Sequence, residues 1–199
     1  MAEEDEESHC CVWYAVVAMK KTYLALLRGV NVGGKSLLPM AALREALTKE
    51  GFESVRTYIA SGNVFVESGE PAEAVGRRIE KVITEGFGLE VPVVVFNYEE
   101  WKKIINEAPS TWGKDDAWKH NLLVLLPPYD MEEVIQVVGE LKPGIEVLVP
   151  GEGVLYQSIS KELFGVTTTG KLAASPIYKR MTVRNYGTST KLLGLFEVG

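Results

Sequence analysis

Val55-Arg-Thr-Tyr-Ile-Ala-Ser-Gly-Asn-Val-Phe-Val66 reads as a strand, a turn and a second strand. Residues 55–59 and 64–66 are rich in β-branched and aromatic side chains. Ser61-Gly62-Asn63 between them is a turn signal, so the segment is a hairpin. Its place in the chain matters more than its existence. Strict alternation of strand and helix builds a parallel sheet, whereas a hairpin in the middle splits the alternation.

Working outward, residues 23–28 (Tyr-Leu-Ala-Leu-Leu-Arg) form a short apolar run consistent with a buried strand. Residues 29–36 are rich in Gly and Asn and read as a loop. Pro39 fits a first helical turn, Met40, Leu43 and Leu47 recur at helical spacing, and Gly51 marks the stop. Pro71 opens a further helix with Val75, Ile79, Val82 and Ile83 on one face, and residues 91–96 are a β-branched strand. The order β-α-β-β-α-β is the ferredoxin-like, split βαβ plan.

The second half repeats the plan. Residues 98–106 predict a connecting helix, and 108–119 a loop holding Trp112 and Trp118. A strand at 121–126 is broken by Pro127-Pro128. Asp130 and Glu133 have capping-box spacing ahead of a helix face made by Val134, Val137, Val138 and Leu141. Strands at 145–149 and 154–158 flank a turn at 151–153. Ser160 is expected to cap a short helix through Phe164, and Thr188 a final helix at 189–196. The expected fold is therefore α/β (α+β), with two tandem ferredoxin-like βαββαβ-type units. They cover 19–97 and 120–199, joined by a helix and loop at 98–119.

Composition agrees with a globular chain. Of 199 residues, 46% are apolar and 24% charged, which excludes disorder, collagen and a disulfide scaffold. The net charge of -6 is uneven. Glu3, Glu4, Asp5, Glu6 and Glu7 crowd the N-terminus, while Lys161, Lys171, Lys179, Arg180, Arg184 and Lys191 face only Glu162 and Glu197 in the last forty residues. An acidic protein with one basic segment is no general nucleic-acid coat. Cys10 and Cys11 are the only cysteines, so no disulfide framework forms, which suits a cytoplasmic protein. The nine apolar residues 10–18 are too few to span a bilayer, and no positive leader precedes them. Residues 1–18 are expected to be a disordered extension, with Met19 the more natural start.

Three blocks carry a resemblance. They are Tyr23-Leu-Ala-Leu-Leu-Arg-Gly-Val-Asn-Val-Gly-Gly-Lys35 with Pro39-Met-Ala-Ala-Leu-Arg44, Thr57-Tyr-Ile-Ala-Ser-Gly-Asn-Val-Phe65, and Met181-Thr-Val-Arg-Asn-Tyr-Gly-Thr-Ser-Thr-Lys-Leu192. Together the chain resembles the bacterial domain-of-unknown-function 1697 family over about residues 19–196. The resemblance implies a two-part protein of ferredoxin-like units and assigns no activity. Tyr186 stands where the family usually has Trp, and Gly187 where it often has a polar residue.

Candidate chemistry gathers in two segments. Asn31-Val-Gly-Gly-Lys35 lies between a strand and a helix. Successive backbone N–H groups there cradle an anion, or the glycines simply supply positive φ. It is neither a Walker A motif nor a dinucleotide fingerprint. In the split βαβ plan the first and third strands are neighbours, and the loop after strand one lies at the same end as the hairpin turn. Arg28, Asn31, Gly33, Gly34 and Lys35 therefore form one expected wall of a site, and Ser61, Gly62 and Asn63 a second. Arg184, Asn185 and Lys191 form a third, because arginine forks suit phosphate and carboxylate. The alternative is that this segment packs against the N-terminal half.

Catalytic signals are sparse. His9 and His120 are the only histidines, and His120 reads as structural. No metal spacing and no cofactor motif stands out. The functional expectation is a small anionic-ligand binding protein, for a nucleotide or a phosphorylated or carboxylated metabolite. An enzyme at the same site, or a protein-interaction module using an exposed sheet or the Trp112–Trp118 loop, are the alternatives. Nucleic acid and membrane are not expected partners, and the oligomeric state is open.

Overall fold

The computed structural model describes residues 19–34 and 36–196, with the side chain of Thr169 excepted. The expectations for residues 1–18 and for Lys35 fall outside the described residues. The first half runs β1 (Lys21–Leu27), α1 (Met40–Lys49), β2 (Glu53–Tyr58), β3 (Asn63–Ser68), α2 (Ala72–Phe87) and β4 (Val93–Asn97). A linking helix α3 (Tyr98–Asn106) follows. The second half runs β5 (Trp118–Leu125), α4 (Met131–Val138), β6 (Glu146–Gly151) and β7 (Val154–Ser160). Then come a 3-10 turn (Phe164–Val166), α5 (Thr169–Ala174), a second 3-10 turn (Pro176–Arg180), β8 (Met181–Asn185) and α6 (Tyr186–Leu195).

The protein is mixed α+β. Its two four-stranded sheets have the orders β2-β3-β1-β4 and β6-β7-β5-β8, every neighbouring pair antiparallel. In each sheet the first and third strands of the unit are central, so the same strand order occurs twice.

Antiparallel strands usually alternate apolar and polar because one face meets water. Here β1 is buried at every position from Tyr23 to Leu27. The reason is that both faces are covered. Tyr23, Ala25 and Leu27 pack with Leu43 and Leu47 of α1 and Val75, Ile79 and Ile83 of α2. Leu24 and Leu26 belong to a second core with Trp101 and Ile104 of α3, Leu192 of α6, and Leu122 and Val124 of β5. That middle core joins the inward faces of both sheets. The outer face of the second sheet carries Leu123, Leu125, Leu155 and Met181 under Val134 and Val138 of α4 and Leu172 of α5. Each fully buried side chain of this size contributes about 1.5–3 kcal/mol.

Local reading is corrected at six places. Residues 181–185 form a strand, β8, within what the sequence shows only as a basic segment. The last helix starts at Tyr186, and its cap is Asn185, whose side chain accepts from the Thr188 N–H, so Thr188 is not the cap. Strand β7 continues to Ser160, leaving only a 3-10 turn where a short helix was expected. Asp130 caps α4 alone, through Glu132 N–H and Glu133 N–H, whereas the reciprocal capping box is Asn97 with Glu100 at α3. Trp118 and Lys119 lie in β5 and not in the preceding loop. Trp112 is core, 4% exposed, with its indole N–H donating to the Asn121 carbonyl. It is therefore not part of an exposed interaction loop.

Candidate functional site

The loop between β1 and α1 and the turn between β2 and β3 meet at one end of the first sheet. Asn31 Nδ2 donates to Ala60 O (2.8 Å) and to Leu38 O (2.9 Å), while Asn31 Oδ1 accepts from Leu38 N–H. The Asn31 amide thus closes its own loop and ties it to the turn. Gly62 fits under this corner only because it lacks a Cβ. A Cβ there would lie 2.6 Å from Val30 Cγ2 and 2.7 Å from Leu27 Cβ, and its φ is +78°. Gly33 and Gly34 are exposed, with φ of +59° and +73°. Gly29, Asn31 and Ser36 are also left-handed, so positive φ recurs through the loop. Left-handed residues next to right-handed ones can turn successive backbone N–H groups toward a common concavity. Ile59, 51% exposed, has φ +49°, an uncommon state for a β-branched residue.

Arg184 reaches this corner from β8 and holds it from inside. Its Nε donates to Asn63 Oδ1 (2.5 Å), Nη1 to Thr182 Oγ1 (2.8 Å) and Val183 O (2.9 Å), and Nη2 to Gly62 O (3.0 Å) and Leu27 O (3.1 Å). A guanidinium has five N–H groups, and five acceptors surround it. Burial pushes its pKa down to about 10. Arg184 is 5% exposed. It therefore acts as an internal clamp here, and no donor is left for a ligand wall. The same holds for Asn63, buried, whose Nδ2 donates to Tyr58 O and Ser61 Oγ. Asn185 caps α6 and Lys191 is exposed on that helix.

Arg28 differs. It follows β1 directly and is half-buried. Its Nη2 makes one long contact, 3.4 Å, to Tyr178 O, and its Nε is buried without a hydrogen-bond partner. Of the residues singled out from sequence, Arg28 is a described cation with a buried donor unmet; it precedes the glycine loop in the chain, and its guanidinium meets the Tyr178 carbonyl.

Two cavities border the second sheet. One of about 460 Å³ opens on the outer face of the second sheet, lined by Lys119, Asn121, Gln157, Phe164, Leu172 and Tyr178 among others. Another of about 400 Å³ is lined by Asp115, Trp118, His120 and Ser158. His120 Nε2 lies 3.1 Å from Asp115 O, and Nδ1 lies 2.8 Å from Ser158 Oγ. A carbonyl can only accept, so Nε2 is the donor in that contact, while the Ser158 hydroxyl can serve Nδ1 as either donor or acceptor. Sequence reasoning passed over Asn121 and Gln157. The only signal was an amide side chain bordering the apolar run of each strand, Leu122–Leu125 in β5 and Val154–Tyr156 in β7.

Among the described residues no group of three or more His, Cys, Asp or Glu side chains is placed to hold a metal ion. No described helix is long and apolar enough to cross a membrane.

The comparisons agree with this architecture. Residues 19–156 match the family model described as Protein of unknown function (DUF1697). The chain belongs to that family. No curated protein matches it. Among solved structures it is similar to the conserved bacterial protein SP0830 from Streptococcus pneumoniae, with 29% identity and a TM-score of 0.80 over 90% of this chain and 100% of that one.

Proposed function

We propose that the protein binds a small anionic ligand at the corner formed by the β1–α1 loop and the β2–β3 turn. The observation that carries this reading is Arg28, a cation whose buried Nε–H has no acceptor. An orphaned buried donor costs about 1–3 kcal/mol, and an anionic oxygen would recover it. The left-handed loop through Gly33 and Gly34 would add backbone N–H groups, with Ser61 at the opposite rim. Lys35 would add a second charge by its place in the chain. A phosphorylated or carboxylated metabolite, including a nucleotide, fits that donor set. Arg184, Asn63 and Asn31 would hold the corner in shape. The repeated strand order supports reading each half as a ferredoxin-like unit, with the corner at one sheet end. Adjacent cysteines without a partner suit a reducing cytoplasm.

The test is a thermal-shift titration with inorganic phosphate, AMP and citrate. A ligand at 100 times its dissociation constant adds about 2.7 kcal/mol, a shift of several degrees. The shift should vanish in Arg28→Ala and persist in Lys191→Ala. No shift with any of the three anions, or an unchanged shift in Arg28→Ala, sinks the proposal.

A further inference from the structure

Asn121 and Gln157 sit opposite each other on β5 and β7, in register, facing the outer side of the second sheet beside Leu123 and Leu155. Each is only 7% exposed. Apolar neighbours on a central strand pair are the cheaper choice at such depth, because a buried amide without partners is costly. One hydrogen bond joins them, Asn121 Nδ2 to Gln157 Oε1 at 2.9 Å. It accounts for half of the pair. Asn121 Oδ1 and the Gln157 Nε2 group make no hydrogen bond to the described residues, and both side chains line the 460 Å³ cavity.

The chemistry of the free edge does not depend on how the two amides are oriented. If both were rotated, the bond would run from Gln157 to Asn121 and leave a donor on Asn121 and an acceptor on Gln157. In either arrangement the pair offers one donor and one acceptor, side by side, to the cavity. The walls around that edge are apolar, with Leu123, Ile159, Leu172 and Val183, and Tyr178 and Phe164 add aromatic faces. Phe164 is 53% exposed and Lys119 lies over its ring.

The cover over the cavity is tied down. Glu146, buried on β6, accepts from Thr168 N–H at 2.7 Å and from the Thr168 hydroxyl, and Lys142 Nζ donates to Val166 O. The cavity therefore has a fixed polar floor, an anchored roof and an apolar, partly aromatic lining. Few convergent polar groups in an apolar pocket are the general form of a small-molecule site.

We propose that this cavity binds a planar uncharged ring whose edge carries a donor beside an acceptor. A nucleobase edge and an aromatic carboxamide share that chemistry. The ring stacks in the apolar slot and its edge pairs with Asn121 and Gln157. The inference is independent of the Arg28 corner.

The experiment is an NMR titration of the full 15N-labelled chain with cytosine, uracil, adenine and nicotinamide, each at millimolar concentration. The side-chain NH2 signals of Asn121 and Gln157, assigned by Asn121→Leu and Gln157→Leu, are the readout. At least one probe should move both signals in a saturable way; a base or nicotinamide response says which source of the shared edge is preferred. Ala173→Phe, which adds bulk to an exposed position lining the cavity, should weaken that response at least tenfold while leaving both amide signals in place. Unmoved amide signals with all four probes overturn the proposal, as does a response that Ala173→Phe leaves intact. The phosphate response is read separately by thermal shift, so either site can fail alone.

Discussion

Arg184 Nε and Asn63 Oδ1 are 2.5 Å apart, one on the last strand of the second sheet and the other on the first residue of β3. They are 121 positions apart in the chain. This bond and those to Leu27 O and Gly62 O stitch the two sheets at the corner that also carries the glycine loop. The arginine meets neutral acceptors only, so its charge is held by dipoles in a buried place. Lysine cannot reproduce the fork.

Arg184→Ala should therefore destabilise the protein by at least about 3 kcal/mol, because several buried acceptors lose their donor together. Arg184→Lys should recover only part of that. A double-mutant cycle with Asn63→Ala should give a coupling of about 1–3 kcal/mol, since the two residues share one network. Urea unfolding of the four proteins measures it. Additive losses would mean that the two residues act separately.

Two glycines of the same corner should respond differently. Gly62→Ala forces both a left-handed alanine and a Cβ into Val30 and Leu27, and should cost about 3 kcal/mol or more. Gly33→Ala meets no atom within 4 Å and bears only the φ penalty, about 1 kcal/mol. Thermal melts of the two variants compare them directly. Equal losses would show that the close approach at Gly62 relaxes freely.

Alkaline stability should report on Tyr156. Its hydroxyl donates to Ile104 O at 2.6 Å, and burial, reinforced by Glu107, pushes its pKa up to about 12. The unfolded chain releases this proton near pH 10 while the folded chain keeps it. Between pH 10 and 12 the folded state binds more protons, so stability falls as pH rises. Below pH 10 the contribution is fully present. Tyr156→Phe should flatten that limb of the stability curve. Tyr23, also raised, retains a share of it. A limb unchanged by Tyr156→Phe would remove Tyr156 as a cause.

The corner was legible because it follows from strand direction. Once residues 55–66 read as a hairpin between two helices, the loop at Gly33 and the turn at Gly62 had to share one end of the sheet. The roles of Arg28 and Arg184 were not legible. Both are arginines near glycine loops or aromatic residues, and a one-dimensional reading gives them equal claims on an anion. Their difference comes from β8, whose Met181 joins the outer core while Thr182 and Arg184 bond inward to the first sheet. The basic charges of residues 178–191 hid that strand.

Periodicity, turn residues and helix breakers along the chain determined the element order through β7 and the meeting of the two glycine turns, because those signals act over a few residues. Only the tertiary structure decided which polar side chains are consumed inside the protein and which keep a free edge. Hydrogen-bond saturation is a property of neighbours, and the neighbours of Arg184 and Gln157 come from distant parts of the chain.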